Sequence, residues 1–362
     1  MRIVPAVAAA ALLAVASPAA AQFGGIMKGL EKAKDVKDTV DQIVFTESEE
    51  TQLGQNVSGM LRRKYGVAQD PAVTKYVALV GTVLAQASSR PSLKWTFIVL
   101  DTDGVNAFAA PGGFVHVTRG ALALMHNEAE LAGVLGHEIS HVTEKHTVNA
   151  IRKNKLVQAG ASATRNETLQ QVADRAYEMV LENKYDRKDE MDADEKGVTL
   201  ANKEGYAPAG LTTFLTDLSA RNKDLKEPSG LFASHPETKA RLDALAKVIG
   251  SQKPAAAAVV AARYEQSVPY KPVPVAQVAS GGAAAAPAKA DAKTSETKSG
   301  GSKFGLSGLS PLGQEKASNQ TVSSAGSRGV NPDRDAKGGS NPALVPVTLT
   351  AAEIADFRKG IV

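Results

Sequence analysis

The sequence predicts an α+β fold, mainly helical, with one small sheet and a C-terminal stretch that lacks fixed structure. Three observations carry this. Apolar residues recur at three- and four-residue spacing on both sides of a central region. That region, residues 95–118, holds short runs rich in β-branched and aromatic side chains. Residues 251–345 are rich in Ala, Pro, Gly, Ser and Lys, a composition that buries too little apolar area to offset chain entropy.

The elements follow in chain order. Arg2 precedes an apolar run over 3–16, and small residues lead to Ala21 and Gln22. This three-part pattern fits a signal peptide cleaved after about Ala21. A membrane anchor needs about 20 apolar residues, and Pro5 and Pro18 leave the run shorter. No later stretch has the length and apolarity of a bilayer span, so the mature chain is expected outside the cytoplasm with no transmembrane segment. Residues 22–44 read as a charged helical lead, and the folded domain is taken as 45–250. Ser48-Glu49-Glu50 opens a helix with Leu53, Val57, Met60 and Leu61 on one side, and Asp70-Pro71 opens a second. Residues 95–100, 106–109 and 114–118 read as strands, the last two joined by the turn Ala110-Pro111-Gly112-Gly113. From Asn127 to about Ile249 the chain reads as helices. After the 251–345 tail, residues 346–362 end in Thr350-x-x-Glu353, a capping-box pattern; they read either as a frayed end or as a small docking element.

Composition narrows the chemistry. With no cysteine among 362 residues, thiol nucleophiles, disulfides, thiolate zinc sites and lipid attachment through cysteine are all excluded. Residues 251–346 carry 11 basic and 6 acidic side chains, whereas residues 1–250 carry 29 and 30. The basic excess thus belongs to the tail, and no basic cluster is interleaved with aromatics, so nucleic acid is not an expected partner.

The six histidines are the informative residues. Asn127 and Glu130 can cap a helix that carries His137-Glu138-Ile139-Ser140-His141. Side chains four apart lie one turn up the same helical face, so both imidazoles can reach one metal ion. Glu138, one residue along, is placed to take a proton from water activated at the metal without being a ligand itself. The pentapeptide is short enough to recur by chance, so context decides. Catalytic zinc commonly takes three protein ligands and keeps one position open. Glu190, with Asp194 one turn later to orient a ligand imidazole, would supply the third. Glu182 and Asp186 have the same spacing and are rivals, and a solvated acidic face is the plain alternative. His116, His126 and His146 have no matching spacing and read as structural or exposed.

The active-site pentapeptide, preceded by Glu128-Ala129-Glu130-Leu131-Ala132-Gly133-Val134-Leu135-Gly136 and followed by Glu190-x-Asp192-Ala193-Asp194-x-x-Gly197, resembles the HtpX and CAAX-prenyl-endopeptidase family of zinc metallopeptidases. Asn106-Ala107-Phe108-Ala109, Pro111-Gly112-Gly113-Phe114-Val115 and Ser234-His235-Pro236 with Arg241 extend the likeness over residues 45–250. The resemblance implies a zincin-like, gluzincin-type domain holding one Zn²⁺ on His137, His141 and Glu190, with Glu190 favoured over Glu182. It also implies Asp194 behind a ligand and an edge strand at Asn106, Ala107 and Phe108 that pairs with extended peptide. Arg241 is expected either to donate to the oxyanion or a substrate carbonyl, or to form a charge pair within its helix. His235 is expected near the metal, assisting catalysis or blocking the open position, or else to be a plain helix-start histidine. Mn or Fe would accept similar ligands.

The transmembrane helices of the family's embedded members are absent, which points to its soluble periplasmic branch; the tail stands where that branch carries a tetratricopeptide module. The expected function is a periplasmic zinc endopeptidase acting on misfolded or stalled envelope proteins, with outer-membrane assembly machinery as a possible partner. The alternatives are a chaperone or scaffold with a latent zinc site and a narrow-specificity processing protease.

Overall fold

The computed structural model describes residues 45–159, 169–182, 185–223, 238–251, 258–280 and 339–361. The signal-like segment, the lead over 22–44, His235 with Ser234 and Pro236, and residues 281–338 lie outside the described residues.

Helix α1 (Glu47–Tyr65) starts one residue ahead of Ser48, because Thr46 and Glu49 form a reciprocal capping box. Asp70 caps α2 (Pro71–Ala87), with Pro71 in the first turn, where its missing N–H costs nothing. Three strands follow: β1 (Thr96–Leu100), β2 (Ala107–Ala110) and β3 (Phe114–Thr118). The sheet order is β1-β3-β2, with β1 parallel and β2 antiparallel to β3. Among the described residues, β2 therefore has no strand beyond it.

Both sheet faces are buried, and the period of two along each strand sorts side chains between two cores. Phe97, Val99, Ala107, Val115 and Val117 join the larger core with α2, whereas Ile98, Leu100, Phe108, Ala110 and Phe114 join the second core with α1. On that second face His116 is fully buried, its Nε2 lying 2.9 Å from the Ser58 hydroxyl.

Helix α3 (Arg119–Leu124) leads to α4 (Glu128–Thr143), which Asn127 caps through the Glu130 N–H. Residues Glu128 to Val142 of α4 are all buried, so this helix runs through the centre and its functional side chains are fixed from every side. Helices α5 (His146–Ala159), α7 (Arg187–Lys203) and α8 (Gly210–Asn222) pack on it, α6 (Leu169–Glu182) packs on α1 and α5, and α9 (Thr238–Ser251) packs on α7 and α8.

The composition of 251–345 predicts no fixed structure, and at two places packing overrides it. Helices α10 (Ala261–Ser267) and α11 (Val275–Ser280) lie within 258–280, where Tyr264 and Val268 enter the larger core. The segment 339–361 is also packed, which corrects the frayed-end reading. Its Gly339 N–H donates to the Asp101 carbonyl, and its Asn341 carbonyl accepts from Val67. Helix α12 (Ala351–Lys359), opened by the Thr350–Glu353 capping box, buries Ile354 and Phe357 beside α2. Composition missed this because a few apolar residues suffice when the surface they meet is already built.

Candidate metal centre

His137 and His141 stand one turn apart on α4, their Nε2 atoms 3.0 Å from each other. Glu190, in the first turn of α7, brings Oε2 to 3.7 Å from His137 Nε2 and Oε1 to 3.6 Å from His141 Nε2. Tetrahedral zinc with ligand bonds of about 2.0–2.1 Å places its donors about 3.4 Å apart, a spacing these distances bracket. Two imidazole nitrogens and a carboxylate, all buried, are a donor set that fits the metal. Asp186, one of the rival acids, instead caps α7 by accepting from the Asp189 N–H.

The approach of α7 to α4 depends on Gly136 and Gly197. A Cβ on Gly197 would stand 2.6 Å from the His137 nitrogen, and one on Gly136 would stand 2.7 Å from the Gly197 carbonyl oxygen. Backbone contact at this crossing is what allows Glu190 and Asp194, both on α7, to reach the α4 imidazoles.

Behind the ligands, the outer nitrogen of His137, Nδ1, lies 3.0 Å from Asp194 Oδ1. Asp194 in turn accepts two hydrogen bonds from Arg241, from Nε at 2.7 Å and from Nη2 at 2.6 Å, and Arg241 Nη1 lies 3.2 Å from Glu190 Oε2. Burial alone would raise the Asp194 carboxyl, yet Arg241 and His137 hold it below the usual carboxylate range. Burial pushes Glu190 up to about 7 against the pull of Arg241 and His137. Glu138 is buried on α4; its desolvation holds its carboxyl well above the ordinary value, the Glu190 charge adds to this, and Arg241 opposes it. Arg241 thus forms a charge pair, between helices and not within its own.

A narrow cleft beside His141, too tight to hold a water, is lined by Ala109, Ala110, Pro111, Val142 and Lys145. Its β2 residues, Ala109 and Ala110, are buried. Of the expected strand residues, Asn106 precedes β2, its N–H donating to the Thr118 hydroxyl and its carbonyl accepting from the Thr118 N–H, and Phe108 stacks on Tyr65 in the second core. The strand residues at the cleft are therefore Ala109 and Ala110, just beyond Asn106, Ala107 and Phe108.

Sequence spacing missed two residues at this centre. His146 Nδ1 lies 3.0 Å from His141 Nδ1, and the Tyr185 ring stacks on His141 with centroids 4.3 Å apart. An offset of five is not a helical neighbour; His146 returns to His141 because α4 stops at Glu144 and Lys145 takes a left-handed φ of 58°. Of the other described histidines, His116 is buried and His126 exposed. His126 forms a second cluster with Glu130 and Asp217, but the Glu130 oxygens already accept from the Asn127 side chain and the His126 backbone.

A buried helix bearing paired histidines and an adjacent glutamate, a third carboxylate from a following helix and an open strand edge beside them define a metallopeptidase domain. Residues 71–249 match the sequence profile of peptidase family M48, and the chain belongs to that family. It is 26% identical over 209 residues to the beta-barrel assembly-enhancing protease of Escherichia coli strain K12, covering 54% of this chain and 42% of that protein. It is also similar to the metalloprotease YcaL of the same strain, 32% identical over 159 residues, covering 42% and 61%. The mitochondrial metalloendopeptidase OMA1 of Schizosaccharomyces pombe is 26% identical over 198 residues, covering 53% and 59%. The match to the beta-barrel assembly-enhancing protease thus spans less than half of that protein's length. No helix among the described residues is long and apolar enough to cross a membrane.

Proposed function

We propose that this protein is a zinc-dependent endopeptidase of the periplasm that cleaves misfolded or stalled envelope proteins. The observation that carries the reading is Glu138 beside a buried His137, His141 and Glu190 donor set, at the open edge of a strand. Zinc held by those three residues would act as a Lewis acid toward water and the scissile carbonyl. Glu138 takes the water proton and later delivers it to the departing amine. Strand β2 receives the substrate as an added strand, which reads extended backbone more than side chains and so suits unfolded chains.

Arg241, considered as an oxyanion donor, is better read as a positioning residue. Its guanidinium is committed to Asp194 and Glu190, and it acts on the reaction by holding them. The export pattern at residues 1–21 supports a periplasmic location. The similarity to a beta-barrel assembly-enhancing protease supports envelope substrates and contact with outer-membrane assembly machinery.

The test compares wild type with Glu138→Gln for bound zinc and for degradation of an unfolded protein. Zinc is expected in both, with cleavage lost by about 10²-fold or more in the variant. Zinc without cleavage in either protein, together with suppressed aggregation of the unfolded probe, would replace the protease with a chaperone.

A further inference from the structure

The two ligand imidazoles are held from behind by different chemistry. His137 has a carboxylate at its outer nitrogen, Asp194, locked by Arg241. His141 has a second imidazole there: His146 Nδ1, 3.0 Å from His141 Nδ1, with ring centroids 5.0 Å apart and planes at 77°. The far nitrogen of His146, Nε2, faces acids of α7, at 3.4 Å from Asp192 Oδ2 and 3.9 Å from Asp189 Oδ1. Tyr185 covers the His141 face, and its hydroxyl is 2.7 Å from that of Thr147, the residue after His146.

We propose that His146 is a positioning residue for the metal centre, serving as a neutral acceptor that fixes the tautomer and ring orientation of His141. The reasoning rests on the zinc-site reading above and on hydrogen-bond inventory. A metal at His141 Nε2 needs that nitrogen's lone pair, so the imidazole proton must sit on Nδ1. Only an acceptor opposite Nδ1 favours that arrangement. His146 Nδ1 accepts when its own proton is on Nε2, and that nitrogen faces Asp192 Oδ2 at 3.4 Å, an oxygen that also accepts from Lys196 Nζ, with Asp189 Oδ1 farther off at 3.9 Å. Metal ligation therefore sets one direction of donation, from His141 Nδ1–H to His146 Nδ1, with the His146 Nε2–H turned toward the negative charge of Asp192. The reverse direction would place a proton on His141 Nε2 and remove it as a ligand.

The arrangement has a physical use. An anionic partner strengthens a ligand imidazole as a donor, and the site already holds three buried carboxylates in Glu138, Glu190 and Asp194. A fourth charge placed directly behind His141 would add like-charge repulsion to that desolvated cluster. A neutral imidazole supplies the orientation without the charge, and passes the anionic end of the relay to Asp192, which is partly open to solvent.

The test measures zinc affinity by chelator competition, and the thermal stability of the zinc-free protein, for wild type, His146→Gln and His146→Leu. Gln retains an acceptor oxygen; Leu fills space without one. His146→Leu is expected to weaken zinc binding by about 10- to 100-fold, the range for lost partners of metal-ligating histidines. His146→Gln is expected to recover most of this, with both zinc-free variants melting at similar temperatures. Equal zinc affinity in the Leu variant and wild type would overturn the proposal, as would equal losses in Gln and Leu that track lowered zinc-free stability. Wild type that binds no zinc would instead overturn the metallopeptidase reading on which this one stands.

Discussion

Arg241 and Asp194 meet as a two-pronged ion pair, both side chains almost wholly buried, directly behind the ring of His137. Asp194 holds His137 Nδ1, and Arg241 also reaches Glu190, so one guanidinium ties two ligands together. Removing one partner of a buried pair leaves an uncompensated charge, at a cost of about 3–5 kcal/mol. Arg241→Ala should therefore lower stability by that order and reduce bound zinc. Arg241→Lys should keep the charge but lose the fork, and fall between the two in zinc content. Peptidase turnover per bound zinc should change less than zinc occupancy; a large loss of turnover at full occupancy would return Arg241 to direct contact with substrate.

Zinc should be worth several kcal/mol to the fold. A ligand that binds only the native state at 1,000 times its dissociation constant adds about 4 kcal/mol, so chelation should lower the melting temperature and zinc should restore it. Glu190→Gln should abolish most of this response, whereas Glu182→Gln should leave it intact. The opposite result would move the third ligand to the rival acid.

The helix bearing the histidines, its Asn127 cap and the three strands were legible because each is specified locally, by periodicity, by a side-chain cap or by β-branched runs. The third ligand was less so: Glu182 and Glu190 are equivalent by spacing, the family resemblance favours Glu190, and the backbone crossing at Gly136 and Gly197 is what brings it to the histidines. His146 was hidden for the converse reason, since a left-handed Lys145 brings it back on a path that no helical spacing describes. Arg263 was hidden by sequence distance: it pairs with buried Glu128 across more than a hundred residues, joined there by the Tyr76 and Tyr206 hydroxyls.

That last cluster bears on the C-terminal segment. Arg263 stacks over the Phe357 ring, 4.0 Å from its centroid, while also holding Glu128 at the start of α4. The end of the chain thus packs against the side chain that anchors the metal-bearing helix. Phe357→Ala should destabilise the domain by about 3 kcal/mol, measured by denaturant unfolding. Breaking the exposed Lys75–Glu353 pair, by contrast, should change stability by less than about 1 kcal/mol.

His116 predicts part of the acid sensitivity. Burial pushes its imidazole down to about 3, with Arg62 contributing and the Phe108 carbonyl opposing. The unfolded chain binds this proton near the ordinary value of about 6.5, so the contribution is complete above that pH and is lost progressively as pH falls toward 3. At pH 5 the loss is about 2 kcal/mol. His116→Gln, which cannot titrate, should show a shallower fall in stability between pH 6 and 4, by about one proton. An unchanged slope would mean that His116 is protonated in the native protein.

The glycine crossing gives the sharpest separation of helix propensity from site geometry. Alanine favours a helix interior over glycine by about 1 kcal/mol, so Gly197→Ala in α7 should stabilise the helix if nothing else intervened. Its Cβ, however, would stand 2.6 Å from the His137 nitrogen and 2.8 Å from the Gly136 carbonyl carbon, both backbone atoms that cannot rotate away. The helices must part by several tenths of an ångström, and Glu190 and Asp194 move with α7 while His137 and His141 stay on α4. Zinc affinity should fall by about tenfold or more, because ligand geometry tolerates only about 0.2 Å. Gly250→Ala, where an added Cβ meets nothing within 4 Å, is the control: it should keep zinc binding and leave stability equal or slightly raised. If Gly197→Ala behaves like Gly250→Ala in chelator competition, the close crossing does not set the position of the third ligand.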